Sequence, residues 1–360
     1  MTAAVRRQTV FAAVAASLGA LFCLGAAEVA LRIADYPPAA FSPWVRSATF
    51  GFRLAPDISM RMRGPEYDVE IATNSLGLRD DEPVAKVGPR VLLLGDSFAM
   101  GYGVERGELF ADLLEKRLHA DVINAGTGGY EIVQQVRALA EYVPVFKPDL
   151  VVYALYLGND LAQNDEWEVR PDGTLHNKVR EYPVRQPKEW KLWRLLRDAV
   201  YGVRKGRSEK EGEWLPFEGY LGLCERTLGE EARRDYAEAD TLLGQMSDKA
   251  KQLGVPLVVL MLPYRSMVEP EALASLATKV PDLEARYDLG RPAREVQAKL
   301  KARGIASLDL TPSLLEEFRG EGVPLFFPID GHLTPAGHAA VATAAGPFVS
   351  QRIPSSDAHL

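Results

Sequence analysis

Apolar and polar positions follow three rhythms along this chain, and the first is continuous. Residues 10–27, VFAAVAASLGALFCLGAA, carry no charge and one hydroxyl, Ser17, and they follow Arg6 and Arg7. A run of that length fits a signal peptide cut near Ala27, or a short membrane anchor whose arginines stay in the cytoplasm. Beyond Glu28 the chain continues as VALRIADY. An apolar helix can therefore extend past the hydrocarbon edge, which favours the anchor. A buried N-terminal helix is the third alternative. Both exporting readings put the rest of the chain outside the cytoplasm.

The second rhythm has period two and is brief. Residues 35–88 hold a Pro-rich linker, DYPPAAFSPW, and later EYDVEIATNSLGLRDDE, an alternating segment that predicts a short hairpin or sheet edge. It offers no evident chemistry.

The third rhythm occupies 89–350, where short apolar runs alternate with segments of helical period. VLLLG, ADVINAG, DLVVYALYLGND, VPLVVLML and 306–310 predict strands. The segments 107–119, YEIVQQVRALAEY, 230–253, 293–303 and a last one from Thr334 predict helices. Such βαβ alternation implies a parallel sheet covered by helices on both faces. An interruption at 161–227, holding Trp167, Trp190, Trp193 and Trp214, reads as an insertion. Within it WKLWRLLRDAVYGVRKGR puts Leu192, Trp193, Leu196, Val200 and Val203 on one helical face, with Lys191, Arg194, Arg197, Arg204, Lys205 and Arg207 nearby. That pattern predicts a cap helix packed on the domain or, alternatively, an interfacial helix on an anionic bilayer. The expected organisation is an N-terminal membrane or signal segment (1–34), a linker with a short hairpin (35–88), and one α/β domain (89–350) carrying the 161–227 insertion.

With 360 residues, 47% of them apolar and 25% charged, the chain has room for one large α/β domain plus extras. A net charge of −7 argues against a nucleic-acid partner. Two cysteines, Cys23 and Cys224, are too few for a disulfide framework or a zinc site, and no metal-ligand cluster is visible. Five histidines, His119, His176, His332, His338 and His359, bound the choice of a base.

In a doubly wound sheet the loops after the parallel strands gather along one edge, so residues distant in sequence can meet there. Those loops carry Gly95-Asp96-Ser97, Asn124-Ala125-Gly126, Gly158-Asn159-Asp160 and, near the end, Asp330 and His332. A serine hydroxyl is a poor nucleophile until an imidazole takes its proton, which casts His332 as the base for Ser97. Asp330 can fix the imidazole's tautomer. The backbone N–H groups of Ser97 and Gly126 and the Asn159 amide are candidate donors to an oxyanion. Taken singly these are ordinary turn and cap sequences. His338 is expected to serve packing on the final helix, His119 to end a helix, and His359 to lie in a frayed tail. Competing motifs fail: an α/β-hydrolase elbow would need glycine where Ala99 stands, and the dinucleotide fingerprint would need one at Arg106.

In their order, GDSFAMGYGV, NAGTGGY, YLGNDL and DGHLTPAGH resemble the four signature blocks of the SGNH (GDSL-type) hydrolases. The resemblance implies a three-layer α/β/α flavodoxin-like sandwich, no cofactor, and ester hydrolysis by Ser97, Gly126, Asn159 and His332 with Asp330 completing the triad. Asp330-Gly331-His332 departs from the Asp-x-x-His spacing of many members. The export segment and TNSLGLRDDE are similar to bacterial membrane-anchored members, some of which act on acyl groups of polysaccharides. The expectation is thus a single-pass cell-membrane protein with a periplasmic catalytic domain. It would hydrolyse or transfer a short acyl group, acetyl above all, of an envelope carbohydrate, with the tryptophans available to stack on sugar rings or, alternatively, to pack the cap. The alternatives are a lysophospholipase or lipid esterase, and a non-catalytic carbohydrate-binding or assembly protein.

Overall fold

The computed structural model describes residues 3–34, 43–162, 164–178, 190–192, 195 and 218–354. The chain divides into two compact units, Met1–Ser42 with Val184–Leu215, and Pro43–Pro183 with Pro216–Leu360. The segment expected as one insertion, 161–227, is thus shared between them. Most of the predicted amphipathic segment, including Trp193, lies outside the described residues, as do Trp214, the Pro-rich stretch 35–42 and His359.

The first unit is built on α1 (Ala3–Ile33). Its stretch Phe11–Ile33, with mean hydropathy 1.9, is long and apolar enough to cross a membrane. Phe11 and Phe22 are 76% and 77% exposed and Leu18 and Leu21 are exposed as well. A buried core helix would hide such a face, so the third alternative does not describe this helix. Near its end the buried Glu28 carboxylate pairs with Arg32 at 2.6 Å. It also accepts the N–H groups of Lys191 at 3.1 Å and Leu192 at 2.9 Å.

The second unit opens with two antiparallel hairpins, β1 (Trp44–Ser47) with β2 (Gly51–Leu54) and β3 (Ser59–Arg63) with β4 (Asp68–Ala72), where the alternation predicted one. The α/β core follows: β5 (Arg90–Gly95), α2 (Ser97–Met100), α3 (Phe110–Leu118), β6 (Asp121–Asn124), α4 (Ile132–Phe146) and β7 (Leu150–Tyr156). A small hairpin, β8 (Trp167–Val169) with β9 (Leu175–Asn177), precedes α5 (Glu230–Leu253) and β10 (Leu257–Leu262). Then come α6 (Pro270–Lys279), α7 (Leu283–Arg286), α8 (Arg291–Ala302), β11 (Ala306–Asp309), α9 (Thr311–Glu321) and α10 (Pro335–Ser350).

The sheet is parallel, in the order β11-β10-β7-β5-β6. In order of appearance that is 2-1-3-4-5 read from the β6 edge, the flavodoxin-like winding. Helix α3 packs with α10, and α4 packs with α5, giving the two covering layers of the predicted sandwich. Every residue of β5 and β7 is buried, as strands covered on both faces require. Glu131 starts α4 with a capping box closed by Gln134, and its carboxylate accepts the Trp167 indole N–H at 2.8 Å. Trp167 is 8% exposed. It is a core residue and not a platform for sugar stacking, which leaves packing as the reading that describes it.

Candidate active site

The chain reverses direction in the sheet between β5 and β7, and at such a switch point a crevice opens beyond the strand ends. Ser97 follows β5 there and Asn159 follows β7. Asp96 is buried and caps α2, accepting the Phe98 N–H at 2.9 Å, which leaves Ser97 as the first residue of that turn. Burial pushes the Asp96 carboxyl above its ordinary value. Asp160 is also buried and accepts from the Tyr153 hydroxyl at 2.8 Å and the Tyr156 N–H at 3.1 Å. It too is pushed up, first by burial and then by the charge of Asp96. The Asn159 amide stands between the two carboxylates, donating to Asp160 Oδ1 at 3.1 Å and hydrogen-bonding Asp96.

The acid and the base arrive from the loop before α10. Thr334 caps that helix by accepting the Gly337 N–H at 3.1 Å, and the loop closes on itself through Phe327 N–H to His332 O and Gly331 N–H to Phe327 O, both 2.8 Å. Gly331 has φ +86°, a conformation glycine adopts without strain, and it lets Asp330 and His332 meet at a spacing of two. His332 Nδ1 is 2.5 Å from Asp330 Oδ1, and Nε2 is 2.8 Å from Ser97 Oγ. An ionised carboxylate only accepts, so Nδ1 carries the proton and Nε2 is free to accept from the serine hydroxyl. Burial alone would raise the Asp330 carboxyl. Hydrogen bonds from His332 and Tyr67 and the imidazole's charge outweigh it and hold the group below the ordinary carboxylate range. Tyr102 stacks on the His332 ring at 4.7 Å, and Phe98 lies 5.0 Å away.

The structure therefore brings Ser97, Asp330 and His332 into one relay, with Asn159 in the neighbouring post-strand loop. Gly126 departs from expectation. Its N–H is taken by Asn124 Oδ1 at 3.0 Å, so it is not free to meet an oxyanion. The glycine serves packing: an added Cβ would fall 2.4 Å from Met100 N and 2.6 Å from the Ala99 carbonyl carbon. Two residues on, a Cβ on Gly128 would lie 3.6 Å from Ser97 Cβ. The N–H groups of Ser97, Gly128 and Gly129 meet no acceptor among the described residues.

His338 packs as expected, buried and stacked on Phe110, whose N–H it accepts through Nδ1 at 3.0 Å. Burial pushes its imidazole down to about 3.

Sequence reasoning missed the residues that brace the relay. Fully buried Arg79 donates to the carbonyls of Met100, Gly101, Val104 and Glu70, and desolvation lowers its guanidinium to about 10. Asn74 Oδ1 accepts the N–H groups of Leu76 and Leu78. Asp80 accepts the Asn124 N–H at 2.8 Å. TNSLGLRDDE, which promised no chemistry, thus buckles the loop after the serine. Nothing in this polar segment, where Arg79 is followed by Asp80, Asp81 and Glu82, marked the arginine as buried. Glu66 and Tyr67 reach Asp330 from the β3–β4 hairpin. Nothing in the alternation marked them.

A serine at the strand end, relayed through histidine to aspartate on a flavodoxin-like sheet, is the arrangement of a serine esterase, and the four blocks stand in the order of the SGNH (GDSL-type) hydrolases that the chain resembles. More narrowly, residues 220–359 match the family model described as the SGNH hydrolase-like domain of the acetyltransferase AlgX. That match takes in Asp330 and His332, while Ser97 and Asn159 precede it. Solved structures similar to this one include that of TesA, at 17% identity and TM-score 0.40, covering 73% of this chain and 99% of that one. Another is the acetyl xylan esterase AlAXEase, at 14% and 0.42, covering 72% and 99%. A third is the lipase/acylhydrolase from Enterococcus faecalis, at 15% and 0.39, covering 74% and 98%. Among curated proteins nothing matches the chain.

Proposed function

We propose that this chain is a membrane-tethered, extracytoplasmic serine esterase or acyltransferase acting on a short acyl group, acetyl above all, of an envelope carbohydrate. The observation that carries the catalytic part is the Ser97–His332–Asp330 relay, with its 2.8 Å and 2.5 Å contacts. The match to the acetyltransferase AlgX domain supports the acetyl group, and the carbohydrate rests on the similarity of the export segment and TNSLGLRDDE to members that act on polysaccharides. The exposed apolar stretch Phe11–Ile33 of α1, with Arg6 and Arg7 before it in the same helix, supports a single-pass anchor, arginines inside and the α/β domain outside. A signal segment cut near Ala27 would export the same domain.

Ser97 Oγ attacks the ester carbonyl as His332 Nε2 takes its proton, and Asp330 stabilises the imidazolium without taking the proton itself. The oxyanion is met by the Ser97 N–H, the amides of Gly128 and Gly129 and, once one of its N–H groups turns away from a carboxylate, the Asn159 side chain, each such donor contributing about 3 kcal/mol to lowering the barrier. His332 then protonates the departing sugar oxygen, leaving acyl-Ser97 and the alcohol. Water or a second sugar hydroxyl, deprotonated by His332, releases the acyl group and restores the serine. Water gives hydrolysis; a sugar hydroxyl gives transfer.

The test is turnover of p-nitrophenyl acetate, butyrate and octanoate by the full chain in detergent, beside Ser97→Ala. Ser97-dependent rates that fall with chain length support this reading. Rates that rise with chain length move the substrate to lipid esters. Absence of Ser97-dependent turnover on these esters and on acetylated polysaccharide overturns it.

A further inference from the structure

The acid of the relay is not held by its own loop alone. Asp330 and His332 stand two residues apart across a glycine, and Asp330 Oδ1 faces His332 Nδ1, with the His332 N–H at a distant 3.4 Å. Rotation of the carboxylate about its Cβ–Cγ bond would draw that oxygen off the imidazole. What occupies the other oxygen comes from the far end of the chain: the Tyr67 hydroxyl donates to Asp330 Oδ2 at 3.0 Å. Its neighbour Glu66 accepts the Ile329 N–H at 3.0 Å and the Asp330 N–H at 2.8 Å. The Tyr67 ring lies 5.4 Å from Phe327 and 5.9 Å from Tyr102, the residue stacked on His332.

Resting on the catalytic reading above, we propose that the β3–β4 hairpin is a working part of the site. In it Tyr67 is the positioning residue that fixes the Asp330 carboxylate against His332, and Glu66 holds the backbone that presents it.

The chemistry of each group suits its task. Desolvation, then the neighbouring Tyr102 and Asp330, push the Tyr67 hydroxyl above its ordinary value, so it remains a donor wherever the relay works. A donor on Oδ2 leaves the charge of the carboxylate in place while restricting its rotation. Among the described residues Glu66 binds only backbone amides, and it meets them with both of its oxygens, so it serves as an acceptor. Neither side chain touches the reacting atoms. The inference also explains how a chain with the short Asp-Gly-His spacing keeps its acid in register: the hairpin supplies from outside a constraint that the loop lacks.

The experiment uses the full chain in detergent and two readouts, turnover of p-nitrophenyl acetate and the rate at which a fluorophosphonate labels Ser97, which needs no substrate. Tyr67→Phe keeps the ring and is expected to lower kcat by about 10- to 100-fold, the scale of a small misplacement at a relay, with KM within about twofold and labelling slowed in parallel. In an Asp330→Asn background the same change should have no further effect, because the group it acts through has gone. Glu66→Ala, which releases the backbone that presents Asp330, should fall with Tyr67→Phe. Unchanged kcat and labelling in Tyr67→Phe would overturn the proposal, and so would an undiminished loss in the Asp330→Asn background, which marks a merely structural role. Labelling that does not depend on Ser97 would instead remove the catalytic reading on which the proposal rests.

Discussion

The serine and the acid reach the same few ångströms by opposite means. The Ser97 turn is held from within: Asp96 caps it, Gly126 packs beneath it, and Arg79 ties the carbonyls beyond it, all from buried positions. The Asp330 loop is held from without, by a hairpin of part-exposed residues 263 and 264 positions earlier in the chain. Interior support fails by unfolding and peripheral support fails by misalignment. Damage to the two halves of one relay should therefore register in different measurements.

The largest expected effect tests whether both halves belong to one relay. Asp330→Asn, which removes the tautomer control, should lower kcat by about 10^4-fold while the thermal midpoint barely moves. A loss of tenfold or less in p-nitrophenyl acetate kinetics would detach the acid from the chemistry. On the interior side, Gly126→Ala should lower stability by about 3 kcal/mol or more, since the new methyl meets backbone that cannot turn aside. Denaturant unfolding is the check, and a neutral result would mean that the loop and α2 slide apart freely.

Arg79→Met sharpens the same contrast, for it leaves buried carbonyls unpaired. A loss of about 2 kcal/mol is expected, with the residual folded enzyme keeping its KM. The smallest effect is one of pH. His338 in the folded chain titrates near 3, below its ordinary 6.5. The unfolded chain therefore takes up a proton that the folded one refuses, so stability is full above about pH 6.5 and is lost as pH falls toward 3. His338→Gln should flatten that decline by up to about 1.4 kcal/mol per pH unit, read from unfolding midpoints between pH 7 and 4. An unaltered slope would place the acid sensitivity elsewhere.

The contrast also shows what a sequence displays. Buried parallel strands must be apolar throughout, so β5, β7 and β10 were visible as runs, and α5 showed its full length in its helical period. Ser97 and Asn159 were legible because post-strand position is a topological property, while Asp330 and His332, in the loop between α9 and α10, were legible through their residue types and the order of the blocks. Local patterning is silent about which loops touch. Tyr67 and Glu66 looked like members of an exposed hairpin because their roles exist only in contact with a loop at the other end of the chain. Gly126 was legible as a glycine that matters, but a hydrogen bond to Asn124 decides whether its amide faces out or in, and no pattern of residue types carries that. Trp167 stayed ambiguous for a related reason: an indole in a polar stretch suits a surface platform as well as packing, and the Glu131 acceptor that draws it into the core lies 36 positions away.

The helix that makes the chain apolar at its start bears on how the enzyme can be handled. Glu28, near the end of that helix, receives the amides of Lys191 and Leu192. A shortened chain begun after the helix, the usual route to a soluble enzyme, would also strip these two amides of their acceptor. Solubilising by truncation and leaving the middle of the protein intact are therefore separate goals. Changing Glu28 alone in the full chain is the comparison that separates loss of the helix from loss of that contact.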